Sequence, residues 1–531
     1  MYIFWLAVSV IILVITVVVF SRKRSFSLFH PLSFYLMFHA IVFVIRPIFS
    51  VIYDYHGMYD AIGFLPNEWE RSQVLICTNL GLIAFAVCSL SVGKDPIRFD
   101  SAIDDVPRLM IARVYWLPAI IIGALGLWSV LWLWSVADNF SEFSVRDSAT
   151  GEGGLRGVSG YFLSMQIMLG ILGAVMAWLG RFKLWSLVPI ALFTVLQLGA
   201  GGRGQAVSGL TAFALLYLFD SRKRWPNASV VALFIVGAAA FNAVQADRGS
   251  GIRSALGLET KAVEVVVESK SKPLETMDLA NMEFFEYIVW AVPKRTGSYD
   301  YFLSNLQIFT EPVPRGLWPD KPYGPPIKMF ELYRYGKALG ATSSVPGMGW
   351  IQWGYAGVVI WGALFGLFYG WMYNIFAARR SSALVAVAYM VFLSTSPVAF
   401  RDGAIVSIAK QMFFFLVPVI ALFISAKLVV GTDIVQHVRA AGAGLTPRDR
   451  RRSTATGSAR LASDTKDPMT EMGSTEEPSE GPSTSRERRL MRMRQLKAAF
   501  YVQDFEERVR GTDSPSTPAQ LRRRMRAEGA G

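Results

Sequence analysis

Apolar residues run in membrane-length blocks along this chain, parted by short polar loops and, once, by a long polar insert. The blocks fall at 2–20, 32–53, 74–92, 114–136, 161–179, 184–200, 205–219, 228–244, 355–377, 383–399 and 404–430. A helix needs about 20 mostly apolar residues to cross a hydrocarbon core. The pattern predicts an all-α polytopic membrane protein of about eleven transmembrane helices. Its membrane domain is 1–430, a large extracytoplasmic loop occupies 245–354 within it, and a disordered basic cytoplasmic tail follows at 431–531. Gly199, Gly201, Gly202 and Gly204 interrupt the pair 184–200 and 205–219, which also fits one broken helix or a re-entrant pair.

Within the insert, Met282 to Val292 is apolar but too short to span, and suits an interfacial or buried helix. Pro312, Pro314, Pro319, Pro322, Pro325, Pro326 and Pro346 then dictate an extended, turn-rich path. The tail is rich in Ser, Thr, Pro, Gly and charge, a composition that cannot build a core. Within it, 486–510 fits either a solvated segment or a basic helix lying on anionic lipid, with Leu490, Met493, Leu496 and Phe500 on one side.

Composition agrees: 531 residues, 53% hydrophobic, mean hydropathy +0.36. The net charge of +13 reflects loops beside apolar blocks and the tail rather than nucleic-acid binding. Alternate loops carry fourteen basic residues on one side, including Arg22-Lys23-Arg24 and Arg222-Lys223-Arg224, against five on the other: Arg71, Arg146, Arg156, Arg203 and Arg401. The basic side is cytoplasmic by the positive-inside bias. That puts the N-terminus outside, the C-terminus inside and the insert outside, in a multi-pass plasma or inner membrane protein. Met1 to Phe20 lacks a basic flank before its apolar run and reads as an uncleaved first helix. Cys77 and Cys88 share one block, about 16 Å apart along a helix, too far to pair.

Charge near a membrane is costly and marks candidate sites. Arg203 sits among glycines at a helix start, where backbone N–H groups and a guanidinium fork suit a phosphate. Snorkelling at a helix end is the plainer account of the same residue. Arg248 follows the 228–244 block, Arg315 and Lys321 lie in the proline-rich stretch, and Arg401 precedes Asp402 between the last two blocks. Arg46 and His39 fall inside the second block, so Arg46 needs a partner or the outer surface. Trp318, Tyr323, Trp350 and Trp353 could stack on sugar rings or sit in the interfacial belt. Asp320, Asp300, Glu286 and Asp402 are candidate general bases. The sequence holds no Walker loop, His-Glu-x-x-His or serine-hydrolase elbow, and no metal motif.

Gly202-Arg203-Gly204 opening a helix, then a long outer loop with Pro314-Arg315-Gly316-Leu317-Trp318-Pro319-Asp320-Lys321-Pro322, then Pro346-Gly-Met-Gly-Trp-Ile-Gln-Trp-Gly-Tyr-Ala-Gly357 entering the next span, resembles the O-antigen polymerase (Wzy-type) or oligosaccharide repeat unit polymerase family. The resemblance covers about 190–375. It implies a polyprenyl-diphosphate-linked oligosaccharide donor transferred to another lipid-linked unit outside the membrane, without cofactor or metal. By the resemblance, Arg203, Arg248 and Arg315 hold the diphosphate; charge and position add Lys321, Arg401 and Trp318 as substrate-binding residues, and Asp320, with Arg203 and Arg315, is placed at the reaction centre. Membrane lipids, and proteins of polysaccharide export and chain-length control, are the implied partners. Related ligases use a loop histidine, whereas His30, His39, His56 and His437 all lie outside this loop. Two alternatives remain: a transferase using polyprenyl-monophosphate sugars, or an O-antigen-ligase-like enzyme, the former with Asp54 and Asp60 as its acids; and a transporter of polysaccharide or lipid-linked sugar, which would call for internal repeats that the chain lacks.

Overall fold

A computed structural model of the chain describes residues 1–97, 108–136, 164–199, 203–228, 279–311, 342–378 and 382–430, with a few single residues between them, among them Lys272, Leu274, Glu275, Trp318 and Leu332. All of these belong to one unit, Met1–Gly444. The tail and the eighth apolar block lie outside the described residues, as does most of 229–278 and 312–341.

Every described element is helical, a short 3-10 turn at Leu303–Leu306 included; the others are numbered as α-helices. In chain order they are α1 (Tyr2–Ser21), α2 (Pro31–Tyr53), α3 (Gly57–Ile62), α4 (Glu68–Val92), α5 (Arg108–Val136), α6 (Ile167–Leu179), α7 (Leu184–Gly199), α8 (Arg203–Asp220), α9 (Asn281–Ala291), α10 (Gln307–Thr310), α11 (Ser344–Ala378), α12 (Ala383–Ser394), α13 (Ser396–Asp402) and α14 (Ile405–Val430). Among the described residues, seven stretches are long and apolar enough to cross a membrane: α1, α2, α4, α5, α11, α12 with α13, and α14. The blocks at 161–179, 184–200 and 205–219 form shorter apolar helices. Exposed apolar side chains stud the outward faces, including Phe4 and Ile11 on α1, Trp116 and Leu117 on α5, and Phe413 and Leu428 on α14. A water-facing protein would bury such a set; a lipid-facing one presents it. The chain is a helical, multi-span membrane protein.

The helix ends follow local sequence. Asn67 caps α4 by accepting from the Glu70 amide, and Glu70 returns the bond to the Asn67 amide, a capping box that starts the helix six residues before its apolar block. His30 caps α2, with Pro31 at its first position. Proline sits inside α5, α7 and α14, where neighbouring groups can use the freed carbonyls.

Glycine sets the packing. Along α11, a Cβ on Gly362, Gly366 or Gly370 would come within 2.9, 2.6 and 2.9 Å of the carbonyls of Gly81, Phe85 and Ser89 on α4. The four-residue spacing makes a smooth stripe on which two backbones touch. Gly170 and Gly209 likewise bring α6 and α8 together.

α11 is two helices in one. Trp353 and Gly354 have non-helical backbone, with Gly354 at φ 56°. The chain folds back there, so that Gly349 of the first arm lies against Gly357 and Val358 of the second. Pro346 touches Gly81 in the middle of α4, while Trp350 packs on Tyr355, whose hydroxyl accepts from Gln73 near the start of α4. The first arm therefore runs from mid-helix depth to the Glu68 end of α4, and every residue from 344 to 352 is buried.

α12 and α13 form the innermost span, 78% of its apolar window being buried. Phe376 stacks on Tyr389 at 4.4 Å. Tyr35, Phe85 and Tyr369 converge on Phe400. α9, eleven residues long, is too short to cross and is buried along its length except at Trp290. It is the helix expected at 282–292, and it lies against α4 and α11.

Candidate functional site

Two described parts of the insert, α9 and the first arm of α11, are sunk into the bundle, and two polar features meet there. The first is a chain of buried charges. α9 carries Glu283 and Glu286, three residues apart, and both are sealed from solvent. Arg46, also fully buried, reaches Glu283 with its NH2 at 2.7 Å and donates from Nε at 2.9 and 3.0 Å. It also donates to the Leu274 carbonyl and lies over the Tyr55 ring. The partner expected for Arg46 is thus supplied by the insert.

A π-helical turn, Ala40–Ile45, directly precedes Arg46 in α2. Such a turn adds a residue and rotates the helix beyond it. Here the rotated residue is the arginine aimed at α9. His39, before the turn, is buried with neither ring nitrogen hydrogen-bonded.

Glu286 accepts from the Tyr59 hydroxyl at 2.6 Å, with Arg71 Nε 3.5 Å from its other oxygen. Burial pushes its carboxyl up to about 7 against the pull of Arg71. Burial, then the Glu286 charge, holds the Tyr59 phenol well above its ordinary value. Lys294 stands 3.8 Å from Glu70. A buried ion pair roughly breaks even against desolvation, but a buried charge left alone is costly. These pairs hold α9 in place, and Glu286 lacks the access a general base needs.

The second feature is polar and lies at the foot of the folded α11. Asn281 donates to the carbonyls of Thr342 and Arg401. Ser343 donates to the Asp402 carbonyl at 2.9 Å. Gly403, at φ 70°, turns the chain hard against the Ser344 carbonyl, leaving no room for a Cβ. Trp361 ties the turn down through its Nε1–H to the Gly403 carbonyl.

Beside this foot a cleft opens between Ser304–Glu311 and Ala404–Lys410, with Met348 at its base. Lys410 and Glu311 face each other at 3.9 Å, each about a quarter exposed. Asp300 holds the cleft wall by accepting from the Ser304 amide and, at 2.5 Å, from its hydroxyl. Gln352 donates to the same hydroxyl, and the Asp300 and Tyr301 amides donate to the carbonyls of Ile351 and Gln352.

Of the residues expected at the site, Arg248, Arg315, Asp320 and Lys321 lie outside the described residues, as does Tyr323. Arg203 is the first residue of α8, and its side chain lies outside the described part. Trp318 is exposed. Arg401 is half-buried beside the foot. Trp350 is not free to stack on a ligand: it is buried and donates to the Val292 carbonyl. Trp353, at the break in α11, is about half exposed. Asp300 spends both oxygens on Ser304. Asp54 and Asp60 are exposed, Asp54 beside His56 at 3.0 Å.

Sequence reasoning passed over Glu283, Glu311 and Lys410. Glu283 had a readable signal, since two acids three apart on a short apolar helix cannot both face lipid. Lys410, inside the last apolar block, is a second intramembrane charge of the kind that flagged Arg46. Glu311 had none, being one acid in a polar loop.

Fold and site together define a helical membrane protein whose polar insert is built into one end of the bundle. No family model, no curated protein and no solved structure matches this chain.

Proposed function

We propose that this protein is a membrane glycosyltransferase that polymerises polyprenyl-diphosphate-linked oligosaccharide repeat units on the extracytoplasmic face of the plasma or inner membrane. The motif resemblance raises the idea, and one observation carries it: a cleft lined by Ser304, Asn305, Gln307, Glu311, Ser407 and Lys410, beside the buried polar foot of α11. A transferase acting on a lipid-linked sugar needs such a place, polar enough for hydroxyls and deep enough for a lipid headgroup.

In this reading an acceptor hydroxyl attacks the anomeric carbon and the bond to the lipid diphosphate breaks. The leaving diphosphate takes the electron pair, so preorganised cations aimed at it supply the largest catalytic term. Arg203, Arg248 and Arg315 hold the diphosphate, with Lys321 and Arg401 beside them. Asp320 takes the acceptor proton and Trp318 stacks on a sugar. The donor bond is already activated, so the reaction calls for no nucleotide cofactor. Proteins of chain-length control and export are the fitting partners.

The test is the glycan profile of a deletion strain, complemented with wild type or Arg203→Ala. Loss of long polymer, with single lipid-linked repeat units accumulating, rescued by wild type and not by the variant, is the expected result. Normal polymer in the deletion strain would overturn the reading. A transporter of lipid-linked sugar is the second reading, favoured by the interruptions in α2, in α11 and between α12 and α13. It predicts stalled units on the cytoplasmic face instead of the outer one.

A further inference from the structure

We infer that the cleft between Ser304–Glu311 and Ala404–Lys410 is a saccharide subsite, which seats a sugar of the acceptor glycan between the Glu311 carboxylate and the Lys410 ammonium; this rests on the polymerase reading.

Four observations converge on the cleft. Its lining carries both hydrogen-bonding senses: Glu311 accepts, Lys410 donates, and Ser304, Asn305, Gln307 and Ser407 do either. A sugar ring presents vicinal hydroxyls that donate and accept together, and such a mixed lining matches them. A diphosphate would meet the Glu311 charge, so the electrostatics favour a hydroxylated ligand over an anion. The Glu311–Lys410 separation of 3.9 Å is looser than a charge-assisted hydrogen bond of about 2.7–2.9 Å.

The wall behind is braced. Ser304 is fixed by Asp300 and Gln352, and Asp300 is fixed by the first arm of α11. A binding group held by such support is preorganised. Apolar surface flanks the cleft as well. Leu303, Leu306 and Phe309 follow at three-residue spacing and are 63, 59 and 79% exposed, a ridge suited to the headgroup boundary of a membrane.

Chain connectivity ties the cleft to the remaining candidates. Arg401 precedes the lining residue Ala404 by three positions. Arg315 follows Glu311 by four positions in the chain.

Two measurements test this. In the complemented deletion strain, Glu311→Gln and Lys410→Met should each cut long polymer roughly tenfold, the loss expected for one hydrogen bond to a charged group, with membrane protein abundance unchanged. The charge swap Glu311→Lys with Lys410→Glu restores a purely structural pair but reverses the subsite, so it should remain defective. Separately, Ser407→Cys is labelled with a membrane-impermeant maleimide, wild type with its native Cys77 and Cys88 giving the background. Labelling should fall in membranes of a strain that makes the lipid-linked repeat unit, relative to membranes of a strain that cannot make it.

Full polymer from both single variants, or full rescue by the swap, overturns the subsite while leaving the polymerase reading intact. If the deletion strain itself makes normal polymer, the polymerase reading falls and the labelling alone decides. Protection then retains a saccharide site in a protein of another function, and equal labelling in both membranes overturns it.

Discussion

The pair between Arg46 and Glu283 joins positions 237 residues apart, and its removal should be the most costly single polar change among the described residues. Neither side chain reaches solvent, at 0 and 2% exposed. Glu283→Gln would leave the arginine charge buried without its counter-charge, and such losses run to about 3–5 kcal/mol. Arg46→Met strands the carboxylate in the same way. It also strips the Leu274 carbonyl of its donor, at about 1–3 kcal/mol for an unsatisfied buried group. Replacing both, as Arg46→Met with Glu283→Met, removes the charge problem and leaves the neutral losses, chiefly the Leu274 bond and the contact with the Tyr55 ring. The double variant should therefore sit about 1–3 kcal/mol below wild type and above either single variant. Reversible unfolding by SDS titration in mixed micelles measures all four proteins. A Glu283→Gln cost under about 1 kcal/mol, or a double variant that loses the sum of the singles, would refute the account.

Three further outcomes rest on the same geometry. Glu286 has a folded-state value of about 7 against an ordinary 4.5, so the folded protein holds this proton more tightly. Its contribution is fully present below about 4.5 and is lost as pH rises to about 7, a span of about 3 kcal/mol. Glu286→Gln should flatten stability across that window relative to wild type, and parallel curves would disprove it. Gly366→Ala should cost about 1–3 kcal/mol by forcing α11 off α4, because a Cβ there meets the Phe85 carbonyl at 2.6 Å; Gly123→Ala, with only the Leu172 side chain at 3.6 Å, should be near neutral in the same titration. Gly403→Ala combines a left-handed backbone with a collision at the Ser344 carbonyl and should loosen the first arm of α11; unchanged limited proteolysis around 342–354 would contradict this.

The seven longer spans were legible because burial in lipid demands uninterrupted apolar length, a property of sequence alone. The start of α4 was legible too, in Asn67-x-x-Glu70, although hydropathy alone sets it six residues late. What composition could not reveal was the fold of the insert into the bundle. Pro346-Gly-Met-Gly reads as an entry to the next span, yet it forms a separate arm that turns back at Trp353. The turn depends on glycine at 349, 354 and 357 meeting particular partners, and those contacts are tertiary. Arg46 was recognisable as a charge needing a partner, but nothing local names Glu283. The same limit hid the cleft. Glu311 and Lys410 are unremarkable in their own segments, and only the close approach of Ser304–Glu311 to the start of α14 makes them neighbours.

The buried pairs also bear on how a substrate could enter. Lifting α9 away would expose Arg46 to apolar surroundings without Glu283, and would part Glu286 from both Tyr59 and Arg71. Two buried pairs would be broken at once, each costing several kcal/mol. α9 is thus a fixed part of the bundle rather than a lid. The segments flanking the cleft are held differently. The Glu311–Lys410 pair, at 3.9 Å and about a quarter exposed on each side, is partly solvated and as an ion pair contributes about 1 kcal/mol or less. Leu303, Leu306 and Phe309 are exposed already. Substrate entry therefore leaves α9, the first arm of α11 and Ser304 in place, Ser304 being held by Asp300 and Gln352, and falls on the partly solvated Glu311–Lys410 side of the cleft.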